Sequence, residues 1–151
     1  MASFEVTRSA TINAPPERIH GLVNDFHEWQ KWSPWEELDP DLERTYSGPD
    51  KGVGAHYAWK GNRKAGEGSM EITGSTPERI DIKITFLKPW SATNDVRFTL
   101  TPAGDGTDVT WSMTGEQKGL AALFGKIFSM DRLVGKDFEK GLAQLRASAE
   151  S

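Results

Sequence analysis

The chain has 151 residues, 26% of them charged, a formal net charge of -4 and no cysteine. That length is usual for one domain and buries a core without covalent staples, so residues 1–151 are expected to form a single domain free of disulfide and thiolate chemistry. The basic residues are scattered through acidic ones, which argues against a nucleic-acid or anionic-membrane partner, because phosphate contact wants clustered Lys and Arg. The start, MASFEVTRSA, lacks a basic stretch followed by an apolar run, and no segment approaches the ~18 apolar residues of a membrane span. Neither a signal peptide nor membrane insertion is expected, and a cytoplasmic location fits.

Phe4, Val6, Ala10 and Ile12 alternate with Glu5, Thr7, Ser9 and Thr11, the period of a half-buried strand over residues 3 to 13, with Arg8 standing on the apolar side. After Asn13, the segment Ala14-Pro15-Pro16-Glu17 suits a helix start, and Ile19, Leu22, Val23 and Phe26 recur at helical spacing. A short helix is predicted over 15 to 24 and a further turn or two near 26 to 31. Ser33-Pro34 ends it, because the residue before proline is pushed out of the α region.

The period then returns to two. Strands are predicted over 42–47, 55–60, 65–75, 79–88, 93–101 and 107–114, separated by turn chemistry such as Gly48-Pro49-Asp50, Gly61-Asn62, Thr76-Pro77-Glu78 and Ala103-Gly104-Asp105-Gly106. Connections this short imply an antiparallel meander. In the last segment Leu120, Leu123, Phe124, Ile127, Phe128, Met130, Leu133, Val134, Phe138, Leu142 and Leu145 recur at three and four, one long amphipathic helix. The result is an α+β chain: seven strands in a curved antiparallel sheet, two short helices after the first strand, and a long C-terminal helix covering the concave face.

Several runs carry a family resemblance. VGAHYAWKGNRK (53–64), GEGSMEIT (66–73), FLKPW (86–90), TDVTWSMTGE (107–116) and MDRLVGKDFEKGLAQL (130–145), with ATINAPPERI (10–19) and FHEWQKWSPW (26–35) before them, resemble bacterial members of the polyketide cyclase/dehydrase and lipid-transport family. That family belongs to the START-like, helix-grip (SRPBCC) superfamily. The resemblance implies a seven-stranded sheet gripping the C-terminal helix with a cavity between them. It implies no single activity, since the superfamily holds carriers, receptors, cyclases, ring-hydroxylase subunits and chaperone co-activators.

Alternation turns Ala55, Tyr57 and Trp59, Met70 and Ile72, Ile80 to Phe86 at every second position, Val96, Phe98 and Leu100, and Val109, Trp111 and Met113 inward. The helix adds Leu123, Phe124, Ile127, Phe128 and Asp131. Apolar rings and branched chains with few polar groups suit either a dry core or a small-molecule pocket. The candidate ligand-binding set is Trp32, Trp35, Tyr57, Trp59, Met70, Ile84, Phe86, Phe98, Trp111, Met113, Phe124, Phe128 and Asp131. Trp32 and Trp35 read either as an aromatic rim at the cavity mouth or as a plug anchoring the short helices. Tyr57 is the expected polar tip, able to orient a ligand by its hydroxyl. Asp131 is either an inward carboxylate of raised pKa or a partner of Arg132, Lys136 or Arg8.

His20, His27 and His56 lack a third ligand at metal spacing, so neither a metal nor another cofactor is expected. Ser69 falls inside a strand rather than at a nucleophile elbow, and Gly66-Glu67-Gly68 marks a bulge rather than a phosphate loop. Glu36-Glu37 and Asp39-Asp41 read as a solvated acidic stretch, and the charges of Lys136-Asp137-Phe138-Glu139 as solvent-facing. Three functions remain open. One is a carrier or sensor of a hydrophobic or aromatic small molecule, acting as a monomer or homodimer. The others are a cyclase/aromatase-type enzyme working through orientation, and a co-chaperone-like interaction module.

Overall fold

The structure is a computed structural model that describes residues 2–35, 39–62, 65–88, 92–117 and 130–151. In chain order these form β1 (Ala2–Ile12), α1 (Pro16–Val23), a single 3-10 turn (Glu28–Lys31), β2 (Glu43–Ser47), β3 (His56–Lys60), β4 (Glu67–Thr76), β5 (Arg79–Lys88), β6 (Ala92–Ala103), β7 (Gly106–Gln117) and α2 (Met130–Glu150). No helix among the described residues is long and apolar enough to cross a membrane.

The strands make one antiparallel sheet in the order β1-β7-β6-β5-β4-β3-β2. From β2 to β7 every neighbour in space is also the neighbour in sequence, as the short turns require. β1 alone is brought in from afar, pairing with β7 from Ala2 opposite Gln117 to Ile12 opposite Thr107. This pairing carries β7 three residues past the predicted end at 114.

The predicted start of β4 at Ala65 is two residues early. Gly66 sits at φ +68°, where a side chain would strain, and the turn is closed by Gly66 N–H donating to Asn62 O and Gly61 N–H donating to Gly66 O. The register then shifts between Glu67 and Gly68, and again between Ile72 and Gly74, so the glycine-rich stretch is the bulge predicted for it. An extra residue on one strand bends that strand and increases its local twist.

α2 buries Phe138, Leu142, Leu145 and Ala149 on one stripe, with Val134 half-buried above them. Leu120 to Ser129 of the predicted long helix, including Leu123, Phe124, Ile127 and Phe128, lie outside the described residues. The far end of α2 is fastened to the chain's beginning. The Arg18 guanidinium donates to the carbonyls of Ser148, Ala149 and Ser151, supplying partners that a helix C-terminus otherwise lacks. The Glu150 carboxylate accepts from Asn13 N–H at 2.8 Å and from Arg146 Nε at 3.0 Å.

The Asn13 amide, and then Arg146, hold the Glu150 carboxyl below the ordinary glutamate value. A depressed pKa contributes stability above the unfolded-state value and loses it as pH falls through the folded-state value. Carbon-detected NMR titration should therefore find Glu150 titrating below its unfolded-chain value. Glu150→Gln should lower the urea midpoint near neutral pH, and the deficit should close under acid conditions.

Candidate functional site

The concave face is built from transverse rows, because residues paired across antiparallel strands point to the same side. At the end nearest α1, one row runs Ile80, Phe98, Trp111 and Arg8 across β5, β6, β7 and β1. The next runs Ile72, Ile82, Val96, Met113 and Val6. These two rows are closed over by the short helices and α2.

Trp111 is the hub of that closed end. Its ring stacks on Phe138 of α2 at 4.0 Å and 10° and on Phe98 at 4.8 Å, while Trp32 and Trp35 meet it edge-on at 5.6 and 5.7 Å. α2 approaches this closely because residue 141 is glycine: a Cβ there would meet Trp111 Cζ3 at 2.7 Å and Pro34 Cδ at 3.0 Å. The indoles are tethered from the polar side as well. Trp29 Nε1 donates to Val23 O and Trp32 Nε1 to Leu22 O, both at 2.8 Å, so α1 and the 3-10 turn are bound to the rings that plug the sheet.

These positions decide between two readings of Trp32 and correct one expectation for the helix charges. Trp32 is only 1% exposed and lies inside the packed core, where it anchors the short helices instead of rimming an opening. Trp35 is half-buried against Phe138 and donates to Asp137 Oδ2 at 3.2 Å. Asp137 therefore does not face solvent freely, and Glu139 reaches back to Arg8 Nε at 3.0 Å. Arg8, standing on the inward parity of β1, takes Glu139 as a partner; the side chain of Asp131 lies outside the described residues. Within the acidic stretch, Asp39 accepts from the backbone N–H groups of Asp41 and Asn62, ordering the loop, and Glu36 and Glu37 lie outside the described residues.

Farther from α1 the rows change character. Tyr46, Tyr57, Met70, Ile84 and Asn94 stand side by side across β2, β3, β4, β5 and β6. Beyond them come Trp59, Gly68 and Phe86, followed by Ala92. Tyr57, Met70, Ile84 and Asn94 are buried like the rows nearer α1, whereas Trp59 and Phe86 are only half-buried. Tyr57 stacks with Trp59 at 6.1 Å, and Trp59 meets Phe86 edge-on at 6.0 Å while its Nε1 donates to Ala65 O. So, while Met113 lies in the covered row between Val96 and Val6, Tyr57, Trp59, Met70, Ile84 and Phe86 are brought together on one surface. Phe98, Trp111 and Trp32 lie behind it in the sealed core, and Phe124 and Phe128 lie outside the described residues.

Sequence reading passed over Asn94. It stands on the inward parity with Val96, Phe98 and Leu100, so a polar residue out of place in an apolar series was the available signal. Its Oδ1 is buried with no hydrogen-bond partner among the described residues, which costs about 1–3 kcal/mol. The histidines are dispersed. His20 lies 3.4 Å from Ser75 Oγ, while His27 and His56 border a cleft of about 200 Å³ shared with Phe26, Tyr46, Ser47 and Asp50. His27 stacks on Tyr46 at 4.0 Å and is oriented by Asp25, 2.8 Å from its Nδ1.

A curved seven-stranded antiparallel sheet closed over a C-terminal helix is the helix-grip arrangement. Residues 3–150 match the family described as polyketide cyclase/dehydrase and lipid transport, and the chain belongs to that family. No curated protein matches it in sequence. Solved structures share its fold: a Nitrosospira multiformis protein at 23% identity and TM-score 0.69, with 97% of this chain and 96% of the other covered, and ginseng major latex-like protein 151 from Panax ginseng at 12% and 0.70, with 99% of each covered. DynU16, from the dynemicin biosynthetic locus, matches at 15% and 0.67 over 97% of this chain and 47% of its own length.

If Trp32 anchors the short helices, Trp32→Ala should lower unfolding free energy by about 3–5 kcal/mol in denaturant melts. Trp35→Ala, at a half-buried position, should cost less.

Proposed function

We propose that this protein binds a hydrophobic or aromatic small molecule, lipid- or polyketide-like, on the concave face, as a cytoplasmic carrier or sensor that is a monomer or homodimer. The observation that carries the reading is the apolar row of Tyr57, Met70 and Ile84 continued by Trp59 and Phe86, which are only half-buried at the edge of the core. Aromatic and branched side chains with few polar groups are what small-molecule sites present. Phe98, Trp111 and Trp32 back that surface and hold its shape, and Trp35 joins it to α2. Phe124, Phe128 and Asp131 complete the proposed lining from the helix side.

Membership of the family fits this reading and leaves cyclase or aromatase chemistry as a second one, favoured by the fold's occurrence in a protein of a biosynthetic locus. Native mass spectrometry of freshly purified protein, with a thermal-shift screen of apolar ligands, tests both. Binding without a change in ligand mass fits a carrier, and an altered mass fits an enzyme. Ile84→Trp should fill the surface and weaken a hit by about tenfold or more while the fold is kept. Undiminished affinity in that variant would place binding elsewhere.

A further inference from the structure

The cleft of about 200 Å³ beside the turn from β2 to β3 is a shaped site that the concave-face reading does not use. Phe26 and Ala55, both buried, form its apolar floor, and Ser47, Asp50 and His56 stand around it with His27 and Tyr46. The His27 ring is held in place twice. It stacks on Tyr46 at 4.0 Å and 19°, and the Tyr46 hydroxyl accepts from Gln30 Nε2 at 2.7 Å. Asp25 Oδ1 lies 2.9 Å from the His27 backbone N–H and 2.8 Å from its Nδ1. A carboxylate only accepts, so Nδ1 carries the proton and the neutral ring keeps its lone pair on Nε2. The facing rim is held as firmly. Gly48 sits at φ +74°, where a Cβ would overlap Gly54 O, and the turn is tied down by Gly52 N–H donating to Asn24 O and Gly54 N–H donating to Ile72 O.

The charge of the lining decides what the cleft takes. Among the described residues no Lys or Arg lines it, whereas Asp50 brings a carboxylate and His27 a fixed acceptor. An anion would meet Asp50 with nothing to offset it, and a hydrocarbon would gain nothing from either acceptor. The geometry points to a second binding site here, for a small organic ammonium. Its N–H groups donate to Asp50 and to His27 Nε2, and its apolar body rests on Phe26 and Ala55. Several donors on one cationic nitrogen suit acceptors spread around a rim, and hydrogen bonds between ionised groups are about twice as strong as neutral ones. At about 30 Å³ for each water displaced, the space suits a molecule of several heavy atoms, smaller than a lipid. The site thus differs in place and in ligand charge from the apolar face of Trp59 and Phe86.

Benzylamine, benzyl alcohol and benzoate, alike in size, separate the cases when titrated at pH 8 and followed by amide and imidazole NMR shifts. At that pH the amine is an ammonium and an imidazole is ordinarily neutral. Wild type should bind benzylammonium about tenfold more tightly than the alcohol and benzoate most weakly, with shifts gathered at residues 26, 27 and 47–56. Asp50→Asn and His27→Phe, both at exposed positions, should each weaken the ammonium about tenfold and leave the alcohol unchanged. The phenyl ring keeps the stack on Tyr46 while removing the acceptor. Ile84→Trp, on the concave face, should leave the ammonium affinity as it is. No preference for the ammonium in wild type, a preference that survives either substitution, or shifts gathered at Trp59 and Phe86 instead each overturns the proposal. None of these results touches the reading of the concave face, which the apolar-ligand screen tests separately.

Discussion

Everything in the fold that grips depends on the contact of Trp111 with Phe138. The ring stack joins the middle of β7 to α2, and Gly141 lets the helix settle directly upon it. Aromatic pairs of this kind add about 0.5–1.5 kcal/mol each beyond the area they bury, and Trp111 takes part in several. Its indole N–H is buried with no hydrogen-bond partner among the described residues, so packing holds the position. The short helices are then pinned to the same ring through Trp29 and Trp32, whose N–H groups take up the carbonyls at the end of α1.

This concentration at one end divides the concave face. Stability is gathered where Trp111, Phe98 and the isoleucines of β4 and β5 meet the helices. The rows beyond, on the side of Trp59 and Phe86, are less completely covered, and the polar group of Asn94 stands on the boundary between the two. One sheet thus serves packing at one end and offers a shaped apolar surface at the other, without a second domain to divide the roles.

Most of the strands were legible because each is a local alternation ended by its own turn chemistry. The bulge at Gly68 was legible for the same reason, as was the inward parity of Tyr57, Met70 and Ile84. What could not be read locally was tertiary. The spacing of Trp29, Trp32 and Trp35 is the same whether they rim a mouth or plug a core; only the 3-10 turn's docking against Trp111 decides it. Asp137 reads as solvent-facing because a helix pattern does not reveal that Trp35 will arrive from another element, whereas Glu139 is solvent-facing as expected, its side chain 61% exposed where it pairs with Arg8. Asn94 was hidden by its neighbours: an apolar series draws the eye to Val96 and Phe98 and away from the residue that breaks it.

The placement of β1 beside β7 has a kinetic side. The six strands from β2 to β7 each meet a partner made just before or after, so that part of the sheet assembles through short loops. β1 must instead wait for a strand about a hundred residues downstream, and closing so long a loop is entropically costly and slow. During synthesis it is therefore made well before its partner and is among the last strands paired, with its backbone donors open in the interval. Glu5, Thr7, Ser9 and Thr11 along its outer face, with Arg8 on the inner one, make that waiting strand a poor template for another chain.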